Sequence, residues 1–144
     1  MTLNYIQQIE QSTYSVSINK AIIPDFRGEL TKKSLHQIGT AFAITENKLL
    51  TAQHVIEYKS ENGLIELRNA TYDEFILSKI IAEDREKDFA ILEVLGEQKL
   101  VPLQIKPTVP TIGDIVCWGG YPRLIGEDIP LRFRSGSGQV ASHS

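Results

Sequence analysis

Only one cysteine, Cys117, stands in the 144 residues. A lone thiol cannot form an intrachain disulfide, so the stapled framework of a small secreted domain is excluded and a reducing compartment is expected. Long apolar runs are also missing. None approaches the roughly 18 residues of a membrane-spanning helix, and residues 1–10 carry neither a basic leader nor an apolar stretch of signal-peptide length. The expectation is a cytoplasmic protein without a membrane segment. Positive charge is in deficit, with 15 Lys and Arg against 18 Asp and Glu and a net charge of -3. The few basic residues (Lys32 and Lys33, Arg132 and Arg134) make no extended stripe, so nucleic acid is not an expected partner. His36 and His143 form no ligand set with Cys117 at metal-site spacing, and neither a metal nor a cofactor is expected. Long helical periods and internal repeats are likewise absent, which excludes solenoids and helical bundles.

What is present is an ordinary globular composition, 42% hydrophobic and 23% charged, in a chain long enough for one domain with a real core. Ile6 and Ile9 are spaced for one face of a short helix. Residues 12–19 then alternate around Tyr14, Val16 and Ile18 as a half-buried strand does. Residues 25–36 are polar around Gly28 and read as a long connection. From Gly39 the chain reads as a hairpin, 40–45 and 48–51, turning at Glu46 and Asn47. Further short strands are expected at 64–68, 75–82, 89–94, 115–118, 130–134 and 138–142, divided by Gly, Pro, Asn or Asp. Many short strands at such spacing predict an all-β barrel or sandwich. The proline-rich stretch 102–110 suits a connection better than a central strand, which sets a boundary near Pro107.

Two segments carry candidate chemistry. Gly39-Thr40-Ala41-Phe42-Ala43-Ile44 leads to Leu49-Leu50-Thr51-Ala52-Gln53-His54-Val55-Ile56, delivering a histidine into a short turn among small and apolar residues. Asp88-Phe89-Ala90-Ile91-Leu92 puts an aspartate at the mouth of an apolar strand. In this order they resemble the histidine and aspartate motifs of trypsin-like (chymotrypsin-fold) serine proteases. The nearest pattern is that of the bacterial HtrA/Do-like type, with its Leu-Thr-Ala-x-His-Val-Val and Asp-Leu-Ala-Leu-Leu. A third stretch, Gly113-Asp114-Ile115-Val116-Cys117-Trp118-Gly119-Gly120-Tyr121-Pro122, is similar to the family's Gly-Asp-x-Val-x-x-x-Gly-x-Pro at the start of its second barrel. Residues 137–142 resemble the strand that follows. Three matches in order weigh more than any one of them.

The resemblance implies a chymotrypsin-like double antiparallel β-barrel. Residues 1–105 would form the complete N-terminal barrel, with the His and Asp motifs, and residues 106–144 a linker and the beginning of a partial second barrel. It also implies peptide-bond hydrolysis through a Ser-His-Asp triad. A hydroxyl is a poor nucleophile near neutral pH until an imidazole takes its proton, so His54 is the candidate base. Asp88 is the candidate acid that orients the imidazole, with Asp84 as the alternative. The family's nucleophile lies in a Gly-x-Ser-Gly loop, and no such sequence occurs here. Neither Ser135 nor Ser137, in Ser135-Gly136-Ser137-Gly138, fills the role, because that stretch falls on the strand before the nucleophile segment. Cys117 matches a second-barrel strand and reads as a core thiol.

The plainer readings are a solvated turn for Asp84 and for the charge cluster 83–87, backbone shape alone for Gly39 and Thr40, and core aromatics for Phe42 and Trp118. Expected partners are a peptide or protein substrate and, for an incomplete second barrel with open strand edges, a partner chain or self-association. The isolated chain is expected to be inactive. Two rival readings are a pseudoprotease barrel serving as a protein-binding or regulatory module, and an unrelated small β-barrel adaptor.

Overall fold

The computed structural model describes residues 4–106, 108–122 and 131–141. A short helix, α1 (Tyr5–Ser12), opens the fold under a capping box. The Asn4 side chain accepts the Gln7 N–H at 2.8 Å, while the Gln7 side chain accepts the Asn4 N–H at 3.2 Å. Six strands follow: β1 (Thr13–Pro24), β2 (Leu30–Ala43), β3 (Lys48–Thr51), β4 (Leu64–Asn69), β5 (Glu74–Asp84) and β6 (Phe89–Val94). They close into an antiparallel barrel in the order β1-β2-β3-β6-β5-β4, with β4 returning to β1 through Ser15↔Arg68 and Val16↔Leu67. Closure leaves this sheet no edge between β1 and β4.

The burial of these strands alternates, as a pleated sheet with one face on the core requires. In β4 and β6 Ile65, Leu67, Ala90 and Leu92 are at most 1% exposed and Val94 is 7% exposed, all facing the barrel interior. Val16, Ile18, Leu49, Ile56 and Ile76 complete that interior. At about 1.5–3 kcal/mol for each large side chain removed from water, this cluster is the main stabilising term of the barrel.

Beyond the barrel, the backbone N–H groups of Leu100 and Leu103 bond to Glu46 and Ala43, pinning the connection along the β2–β3 turn. The expected boundary at Pro107 lies outside the described residues. Two more strands, β7 (Ile115–Gly120) and β8 (Arg134–Gln139), form a two-stranded antiparallel ribbon. The arrangement is the expected chymotrypsin-like one, all-β, with the first barrel closed and the second only partial. No helix among the described residues is long and apolar enough to cross a membrane.

Three local expectations need correction. Residues 30–36 are strand, not connection: β1 and β2 pair out to Pro24↔Leu30 around a tight turn at 25–29. Asp25 Oδ1 organises that turn by accepting the N–H groups of Arg27 and Glu29. The tip of the hairpin extends beyond the core, and Leu30 to Lys33 are exposed there and carry no apolar period. The last strand spans Arg134–Gln139; residues 131–133 are not strand, and Pro130 and residues beyond 141 lie outside the described residues. Trp118 is 57% exposed, because among the described residues no third strand covers its face of the ribbon. Cys117 is half-buried in the same strand.

Candidate active site

A single 3₁₀ turn, η1 (Gln53–Ile56), follows β3 directly. Residues three apart eclipse in such a turn, so Gln53 and Ile56 both point inward, at 4% and 0% exposure, while His54 between them points out. Gly39 on β2 makes room for the turn. A Cβ there would lie 2.6 and 2.7 Å from the two Val55 methyl carbons, closer than real contacts allow. Ala52 at the head of the turn has no side chain to accept its first N–H groups.

Asp88 supplies that acceptor from the turn before β6, the strand paired directly with β3. It is the last residue of the four-residue turn between the paired Asp84 and Phe89, and its φ of 54° lies in the left-handed region that Asp tolerates better than most residues. Its Oδ1 accepts the His54 backbone N–H at 2.9 Å, and its Oδ2 lies 2.7 Å from His54 Nδ1. The His54 amide, and next its imidazole, hold the Asp88 carboxyl below the usual aspartate range. Asp88 is therefore ionised at neutral pH and can only accept. In its neutral form the His54 ring then carries its proton on Nδ1, opposite Asp88 Oδ2, and presents its lone pair on Nε2.

The structure thus brings together the two residues that the sequence motifs singled out. Asp84 is engaged elsewhere, its Oδ1 accepting the Lys87 N–H at 2.9 Å inside the turn. Ser135 and Ser137 sit opposite Gly119 and Cys117 in the regular β7–β8 ladder. Among the described residues, no serine or cysteine is hydrogen-bonded to the His54 ring. Beside the imidazole, a cleft of about 570 Å³ is lined by Ile23, Leu35, Ile38 and Val55 with the charged Lys33 and Glu57. An apolar lining with a few polar groups is the usual character of a ligand-binding cleft.

Two residues do more than the sequence reading assigned. Gly39 is needed for close approach to Val55, a tertiary requirement rather than hairpin shape. The Thr40 hydroxyl accepts the Tyr121 N–H at 2.8 Å and donates to the Tyr121 carbonyl at 3.1 Å, joining the barrel to the segment after β7. The only local sign of either was their place just before the histidine motif.

Residues 39–144 match the family model of the trypsin-like peptidase domain, which covers well over half of the chain. A comparison with curated proteins finds no significant match.

Proposed function

The chain belongs to the family of trypsin-like peptidase domains, and from that premise we propose that His54 and Asp88 are the base and the orienting acid of a serine endopeptidase. The family points to a protease-like function acting on peptides or proteins. The finer reading rests on one observation, the two-point contact of His54 with Asp88 through both its backbone N–H and its ring. A single hydrogen bond is common at a turn. Two bonds from one carboxylate to the amide and the ring of the same histidine fix both the ring's plane and its tautomer, which is what a general base requires.

In this reading His54 Nε2 removes the proton from a serine hydroxyl as its oxygen bonds to the scissile carbonyl carbon. The imidazolium formed is stabilised by ionised Asp88 and then gives its proton to the leaving amine as the C–N bond breaks. Water, deprotonated by the same nitrogen, releases the acyl group. The serine would come from a Gly-x-Ser-Gly segment that these 144 residues do not contain. The cleft beside His54 is where we place a substrate side chain next to the scissile bond.

The test is fluorophosphonate labelling of the protein in its native source, combined with intact mass, because the probe reacts only with an activated serine. A labelled species well above 16.1 kDa, whose labelling is lost in His54→Ala, is the expected result. An unlabelled species of 16.1 kDa would sink the protease reading and leave a barrel that binds peptides or regulates a partner without cleaving.

A further inference from the structure

We infer that Gln53, Glu83 and Lys59 form a positioning network that holds the His54 turn against the hairpin carrying Asp88. The inference rests on the reading of His54 and Asp88 as base and acid, and it adds residues that the histidine and aspartate motifs do not specify.

The His54–Asp88 contact is open to water, with the two side chains 70% and 47% exposed. Hydrogen bonds at such exposure compete with solvent and do not by themselves hold two chain segments in register. Beside it lies a contact with one buried partner and one at the surface, Glu83, whose side chain is 28% exposed. The Gln53 side chain, in a residue only 4% exposed, donates from Nε2 to Glu83 Oε1 at 3.0 Å. The same Oε1 accepts Lys59 Nζ at 2.9 Å. Glu83 stands on β5 opposite Ala90 of β6, next to the Asp84–Phe89 pair that closes the Asp88 turn. Gln53 immediately precedes His54, and Lys59 lies three residues beyond η1.

One carboxylate oxygen therefore ties together the head of the histidine turn, the chain leaving it, and the base of the hairpin carrying the acid. Burial raises the Glu83 carboxyl, but the bonds from Gln53 and Lys59 outweigh it and hold the group below the ordinary glutamate range, so the acceptor is ionised at neutral pH. A largely buried amide whose partner is removed is costly to leave unbonded, which favours a shift of the segment carrying it toward water. That movement would carry His54 away from Asp88.

The experiment is made on this chain and needs no catalytic activity. Two signals report His54: hydrogen exchange of its backbone N–H, which bonds to Asp88 Oδ1, and the imidazole tautomer read by ¹⁵N NMR. In Gln53→Ala and Glu83→Ala the His54 amide should lose protection by roughly tenfold or more, and the ring should lose its preference for Nδ1–H, while the core amides of Leu49 and Leu92 keep theirs. Glu83→Gln preserves an acceptor for Gln53 and should retain most of the protection. Lys59→Met, at an exposed position that tolerates replacement, should give a smaller loss of the same kind and decides the matter should the alanine variants not fold. Unchanged His54 signals in these variants, or a loss of protection spread evenly over the barrel, would overturn the network as a positioning device. The tautomer of the unmutated chain tests the base-and-acid reading separately, so the two failures are distinguishable.

Discussion

Asp88 is nearly half exposed in its side chain, yet each of its carboxylate oxygens has a fixed partner on His54. These bonds favour the charged form, which is why its carboxyl sits below the usual range, the His54 amide contributing first and the ring second. The sign of the linkage follows. A group with a depressed folded pKa contributes stability that is fully present above its unfolded value, about 3.9 for Asp, and is lost as pH falls through the folded pKa. Asn tolerates the same left-handed backbone but cannot ionise, so Asp88→Asn removes this contribution without disturbing the turn. Urea unfolding should find the wild type more stable than the variant near neutral pH, with the gap closing as pH drops below about 4. A gap that persists undiminished into acid would mean that Asp88's charge is not what the turn holds. At this scale the candidate pair was legible, because two short motifs each specify residue types at set positions, and His54 Nδ1 and Asp88 Oδ2 lie 2.7 Å apart. Gln53 and Glu83 were not readable, since a buried amide meeting a carboxylate thirty positions away leaves no periodic mark.

The histidine turn depends on how close two elements come. β2 passes η1 at Gly39, where a Cβ would meet Val55 at 2.6 Å and force the turn outward. Val55 is branched at Cβ and stiff about χ1, so it cannot swing aside cheaply. Gly39→Ala should therefore destabilise the barrel by about 1–3 kcal/mol in denaturant titration, as overpacking typically does. It should also weaken the His54–Asp88 contact, seen as faster exchange of the His54 N–H. An alanine variant as stable as the wild type would show that the turn can shift freely, and Gly39 would return to a role in hairpin shape alone. Elements were legible to the extent that they are buried. β6 spans 89–94 as its apolar run predicts, and every second side chain of it faces the core. The outer half of β2 escaped notice because its residues from Leu30 to Lys33 are all exposed, and a strand solvated on both faces has no alternation to detect. Trp118 failed for the converse reason: apolarity marks a side chain that would gain from cover, not one that has found it.

Among the described residues, β7 packs against α1 and β1, and the segment after β7 is held by hydrogen bonds from Thr40 and Ala70. The Thr40 hydroxyl grips both backbone groups of Tyr121, a residue 1% exposed whose phenolic oxygen accepts the Ala70 N–H at 3.1 Å and whose ring packs edge-on against Phe133 at 5.7 Å. The Thr40 carbonyl accepts the Thr51 hydroxyl at 2.8 Å, two residues before Gln53. A short path of hydrogen bonds thus runs from the β7–β8 ribbon, through β2, to the strand that delivers His54. Thr40 and Tyr121 are 81 residues apart, which is why no local pattern announced the link. Thr40→Val keeps the side chain's shape and deletes only the hydroxyl, leaving the buried Tyr121 N–H without its acceptor at a cost of about 1–3 kcal/mol. If the ribbon is a separately opening unit docked on a self-sufficient barrel, that cost falls on the docking equilibrium. Amides of β7 and β8 should then exchange roughly tenfold faster or more while those of Leu49 and Leu92 are unchanged. Equal acceleration in both parts would instead mean that barrel and ribbon open as one cooperative unit, in which case the barrel could not serve as an independent scaffold for the His54–Asp88 pair.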